Sequence, residues 1–162
     1  MGWVSVANNI MKLAEALVLR ADIQSRVEAL RERLKQSALV QEGEKPPEDP
    51  QALLAELDRL LNQLAGLIEH INRTNLQTRL PVGRTVTYAL AERDVLTLRR
   101  SVLESLAETA GATVNRYSRA EIRLAATVDV GALRKQIDQL AQQRREVDTA
   151  IQAINWTADL IE

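Results

Sequence analysis

Residues 49–71 read DPQALLAELDRLLNQLAGLIEHI, and the periodicity of this stretch decides the fold. Asp49 stands where a helix N-cap belongs. Pro50 suits the first helical position, where its missing N–H costs nothing. From there Leu53, Leu57, Leu60, Leu64, Leu67 and Ile71 recur every three or four residues, a row on one face of a helix. Leu54, Leu61 and Ile68 form a second row beside the first. One neighbouring helix cannot cover so broad an apolar face, which points to a bundle interior or a subunit interface.

Upstream, QEGEKPPEDP at 41–50 interrupts any helix with Gly43 and three prolines. Before it, Leu13, Ala16, Arg20, Ile23, Val27, Leu30 and Leu34 mark a long first helix beginning near Met11. Residues 1–10 precede the pattern and are expected to form a mobile tail, with 11–162 a single helical-bundle domain. Downstream, NRTNLQTRLPVGRTV at 72–86 is polar, carries Pro81 and Gly83, and reads as a connection. A third helix is expected from Thr87 to Gly111, with Ala91, Val95, Leu98, Val102 and Leu106 inward and Gly111 as its C-terminal cap. Asp129 caps a fourth helix with the row Leu133, Ile137, Leu140, Arg144, Val147, Ile151 and Ile154, ending near Asn155. Helices of about 22 to 28 residues are about 33 to 42 Å long. On short connections they favour an antiparallel bundle of two hairpins.

One stretch departs from this pattern. In RYSRAEIRLAATVDV, residues 116–130, Ile122, Leu124, Ala126, Val128 and Val130 fall on alternate positions, as in a strand. Ser118 and Glu121 offer a competing capping box. The alternation covers nine residues, however, and outweighs a four-residue match. A lone strand leaves its backbone unpaired. Its candidate partner is Arg84-Thr85-Val86-Thr87, from the same chain or from a second copy. The expected fold class is mainly α: an antiparallel bundle of four long helices with one short two-stranded β element.

Composition narrows the function classes. At 162 residues the chain is long enough to bury a core, and its net charge of −1 offers no global attraction to nucleic acid or to an anionic membrane. Cysteine is absent, which removes disulfides, thiolate catalysis and cysteine-ligated metals. No run of about 18 apolar residues exists to span a bilayer, and the first residues lack the pattern of a signal peptide. A cytoplasmic location is expected. The aromatic residues are Trp3, Tyr88, Tyr117 and Trp156, too few to supply stacking platforms for single-stranded nucleic acid.

Candidate chemistry rests on polar residues that break the apolar rows. Arg20 and Arg144 each need acceptors if they face a bundle interior. They could build an anion pocket with nearby carboxylates, or serve as ion pairs that fix helix register. Glu15, Glu92 and Asp94 are the candidate ligands for a divalent metal, although the Glu-x-x-His pairs of carboxylate-bridged bundle sites are missing. His70 is read as a solvated helix residue. Arg116, Tyr117, Glu121, Asn155 and Trp156 form a second polar set, which could line a ligand cleft or anchor a subunit contact. No phosphate loop or nucleophile elbow is present. No cofactor is expected, and no catalytic residue is assigned.

The runs KLAEALVLRADIQSRVEALRERL, VQEGEKPPEDP, INRTNLQT, ALAERD, RYSRAEI, TVDV and INWTADL occur in this order from Met11 onward. Together they resemble a bacterial family of small helical proteins labelled septicolysin or DUF-type proteins of unknown function. The resemblance implies a helical, oligomeric fold and carries no active site. The leading functional reading is a self-associating helical-bundle protein, non-enzymatic on balance. The alternative is a small-anion or metal-binding protein, or an enzyme, using the arginines and carboxylates above. The third is a haemolysin-type toxin, as the label suggests.

Overall fold

The computed structural model describes residues 10–115 and 125–161. Four helices follow one another: α1 (Leu13–Ser37), α2 (Pro50–Gln77), α3 (Val86–Asn115) and α4 (Val130–Thr157). The chain divides into two compact units, Met1–Thr78 with Ile154–Glu162, and Arg79–Ala153.

In the first unit α1 and α2 run antiparallel. Leu13, Ala16, Ile23 and Leu30 of α1 interlock with Leu53, Leu60, Leu67 and Ile71 of α2, and Leu160 completes the same buried cluster. These are the rows expected from the sequence, with Val27, Leu34, Leu57 and Leu64 packed at the cluster's margin. Asp49 accepts from the Gln51 backbone N–H at 3.0 Å, so Asp49 and Pro50 start α2 as their residue types require. At the start of α1 the Glu15 carboxylate accepts from the Lys12 backbone N–H at 2.7 Å. The chain's end closes this hairpin: Leu13 N donates to Ala158 O at 2.9 Å and Leu160 N to Met11 O at 2.8 Å. The Lys12 ammonium also pairs with Asp159.

The connection between α1 and α2 is tied down by charge. The Arg33 guanidinium bonds the Glu48 carboxylate through Nε at 2.9 Å and lies 3.8 Å from Glu56. The hydrogen bond to Arg33 holds the Glu48 carboxyl below its ordinary value of 4.5. A carboxyl lowered in the folded state adds stability above the ordinary glutamate range and loses it as pH falls through the lowered value. Glu48→Gln is therefore expected to melt below the wild type at pH 7. The gap should close as pH drops from 4.5 downward, read by paired thermal melts across that range.

In the second unit α3 and α4 form an antiparallel hairpin, because Arg93 and Thr97 meet Asp148 and Arg144 in reversed order. Leu140 and Ile151 of α4 are buried, with Leu133, Ile137, Arg144 and Val147 half-buried, as the sequence row requires. Asp129 accepts from Ala132 N at 3.0 Å and caps α4.

Several expectations are corrected. Among the described residues there is no strand, only the isolated bridges Lys12–Asp159 and Arg79–Thr85. Residues 116–124 of the expected strand lie outside the described residues. Residues 125–129 are irregular and Val130 opens α4. The alternation simply ran across a helix cap. Thr85 pairs with Arg79 instead, and its hydroxyl accepts from Tyr88 N at 3.2 Å to start α3. The connection expected at 72–86 is shorter, since α2 continues to Gln77. Polar Thr74 is tolerated there because its hydroxyl donates to His70 O at 2.8 Å. Gly111 does not cap α3; it lies inside a helix that reaches Asn115 and has no positive φ.

The largest correction concerns α3. Ala91, Val95, Leu98, Val102 and Leu106, expected inward, are exposed. Val86, Ala89, Ala107 and Ala110 are buried instead, with Arg93, Leu96, Arg100 and Leu103 half-buried between them. Both rows keep heptad spacing, and the inward one is less hydrophobic. It holds two arginines and three alanines, which allow close approach of the partner helix.

The turn into α3 needs glycine. Gly83 N donates to Leu80 O at 2.8 Å, and Gly83 adopts φ +85°, a left-handed conformation that costs other residues about 1–2 kcal/mol. Gly66 lies inside α2, with no atom within 4 Å of an added Cβ. Gly83→Ala is expected to destabilise by about 1–2 kcal/mol. Gly66→Ala should stabilise by about 0.5–1 kcal/mol. Chemical denaturation of the two variants would show shifts of opposite sign.

Candidate functional site

The α3–α4 seam is more polar than a helix interface normally is. Arg144, one of the two row-breaking arginines, donates from Nε to Thr97 Oγ1 at 3.0 Å. Thr97 Oγ1 in turn donates to Arg93 O at 2.9 Å. Arg93 lies 3.6 Å from Asp148 on α4 and also contacts Asp94 at 3.1 Å. Two turns beyond Arg93 along α3, Arg100 Nε donates to Glu104 at 2.8 Å. The two contacts that cross between the helices fix the register of the hairpin, since sliding one helix by a turn would strip Arg144 of Thr97 and Arg93 of Asp148. Arg93, Thr97, Arg100 and Asp148 are absent from the sequence-level candidates. The signal was the spacing Val86, Ala89, Arg93, Leu96, Arg100, Leu103, Ala107 and Ala110, masked by the more apolar row beside it.

The remaining candidates are distributed. Arg20 is half-buried on α1 in the first unit and makes no hydrogen bond or ion pair among the described residues. Arg144 belongs to the second unit. Of the candidate metal ligands, Glu15 caps α1, Glu92 accepts twice from Arg84 Nη1 at 2.9 and 3.0 Å, and Asp94 meets Arg93. The bond to Glu92 raises the pKa of the Arg84 guanidinium, which also sits 4.9 Å from the Tyr88 ring centroid. No group of three or more His, Cys, Asp or Glu side chains able to hold a metal occurs among the described residues. Asn155 is buried and Trp156 exposed, while Arg116, Tyr117 and Glu121 lie outside the described residues.

An open cleft of about 380 Å³ lies in the α3–α4 hairpin, lined by Glu104, Ala107, Glu108, Arg134, Ile137 and Asp138. Three carboxylates and one guanidinium give it an acidic character.

The most conspicuous surface is apolar. On α3, Val95, Leu98, Val102 and Leu106 are 64%, 66%, 58% and 41% exposed. The second row of α2, Leu54, Leu61 and Ile68, is also exposed. Single exposed apolar residues are ordinary, but rows at helical spacing mark interaction faces.

Residues 20–160 match DUF6847, a family of unknown function. The chain belongs to this family. The DUF6847 chain is also similar to a functionally unknown conserved protein from Corynebacterium diphtheriae, known from a crystal structure. The two share 40% sequence identity over 94% of this chain and all of that one, with a TM-score of 0.88. No curated protein sequence matches the DUF6847 chain. No helix among its described residues is long and apolar enough to cross a membrane.

Proposed function

We propose that this DUF6847 protein is a cytoplasmic, non-enzymatic helical protein that works by self-association. The exposed heptad row on α3 carries the reading: apolar side chains at coiled-coil spacing gain by burial against another helix. Glu15, Glu92 and Asp94 are engaged in a cap and ion pairs, and Arg144 bonds the Thr97 hydroxyl, which supports a structural role for these four. Native mass spectrometry tests the proposal. A multiple of the 18.1 kDa chain with no extra mass is expected, and a single chain at every concentration would overturn it.

A second reading, a small-ligand or metal-binding protein, draws on the acidic cleft at Glu104, Glu108, Asp138 and Arg134 and on Arg20, which has no acceptor among the described residues. Bound mass that disappears on denaturation, or a thermal shift with divalent cations or small anions, would favour it. The toxin reading carried by the septicolysin label predicts dye release from liposomes, and such release would replace the proposal.

A further inference from the structure

We propose that α3 forms a parallel two-stranded seam with α3 of a second copy, an inference that rests on the self-association reading and specifies its geometry. The row Tyr88, Ala91, Val95, Leu98 and Val102 steps alternately by three and four residues along the exposed face of α3. Two adjacent helices sharing such a row bury it between them. The residue types set the number of strands. Val95 and Val102 occupy one set of core positions and Leu98 the other, and in a parallel seam, where each set meets its own copy, β-branched residues at the first set with leucine at the second favour two strands.

Charge sets the direction. Asp94 immediately precedes core residue Val95, and Arg99 immediately follows core residue Leu98. In a parallel seam these flanking positions lie beside one another across the interface, so Asp94 of each copy meets Arg99 of the other. The symmetry makes this pair twice. Both side chains can reach across: Asp94 is 71% exposed and gives only its Oδ1 to Arg93, while exposed Arg99 makes no hydrogen bond or ion pair among the described residues. Antiparallel alternatives fare worse. The register pairing Leu98 with Val102 sets Asp94 against Glu108 and Arg99 against Arg99. The next register aims Arg99 at Glu92, whose carboxylate Arg84 already occupies.

The absence of cysteine makes the test direct. Ala91→Cys and Val102→Cys sit about 16 Å apart along the helix, and a disulfide needs Cα atoms within about 7 Å. In a parallel seam each variant cross-links to its own copy under mild oxidation. An antiparallel pair brings at most one of the two near itself. Asp94→Arg and Arg99→Asp should each weaken the dimer about tenfold, and the double reversal should restore it to within about threefold. These constants come from sedimentation, with helicity checked by circular dichroism. Two cross-linked variants and a restored double reversal are the expected results. A dimer in which either variant stays uncross-linked, or in which the double reversal stays weak, overturns the parallel seam but leaves self-association standing. A chain that stays monomeric throughout overturns both.

Discussion

Leu60→Ala is expected to lower the stability of the first unit by about 2–5 kcal/mol, the largest effect of any single truncation considered for this chain. Leu60 has no exposed surface and sits mid-way along α2, among Leu53, Leu67 and the α1 residues Ile23 and Leu30. Alanine removes several buried methyl and methylene groups. It also leaves a cavity that two long helices, held at both ends, cannot collapse to fill. The next residue supplies the control. Leu61 is 43% exposed, so Leu61→Ala should change stability by no more than about 0.5 kcal/mol at concentrations where the chain is monomeric. Urea titrations followed by circular dichroism separate the two, through a lower midpoint with an unchanged slope for Leu60→Ala alone. Equal midpoints would mean that the Leu60 row is not the core.

Thr74→Val should cost about 1–3 kcal/mol, a large effect for a change that conserves shape. Thr74 is fully buried, and its hydroxyl works twice: it donates to His70 O at 2.8 Å and accepts from Ile161 N at 2.9 Å. Valine fills the same space but leaves the Ile161 N–H without its acceptor. The loss is therefore expected at the C-terminal segment, not throughout α2. Hydrogen exchange should speed up at Ile161 and Leu160, with amides of central α2 changing only as far as global stability falls. Unchanged exchange at Ile161 would show that burial of Leu160 and the contacts to Met11, Lys12 and Leu13 hold the segment without Thr74.

The first unit was legible because its signals agree. Asp49-Pro50 announces a helix start, and the leucine row of α2 and its counterpart on α1 are each the most apolar face of their helix. α4 was legible for the same reason, from Asp129 through Ile151. α3 was misread because it carries two rows of equal period, and hydrophobicity ranked them in the wrong order. Helix–helix contact there uses alanines and the hydrocarbon stems of arginines, whose burial depends on a partner that spacing does not reveal. The strand expectation failed differently over residues 125–130, where Asp129 caps α4 and Val130 opens it. Alternation ran across that cap, and no term in the local pattern marks where a cap interrupts it. Among the site residues, Arg144 was recognised as needing an acceptor. Thr97 and Asp148, which sit on its partner helix and its own next turn, emerge only once the register of the hairpin is known.

The bridge joining Met11–Leu13 to Ala158–Leu160 orders events during synthesis. α1 and α2 leave the ribosome early, while the segment that covers their open end is made only after all of Arg79–Ala153. At about 5–20 residues per second that interval lasts several seconds. Throughout it the amide of Leu13 has only water for a partner, the Thr74 hydroxyl lacks the Ile161 N–H that it accepts from, and the site of Leu160 stands open. The nascent first hairpin is thus a half-built core, and its completion waits until the second unit has been made.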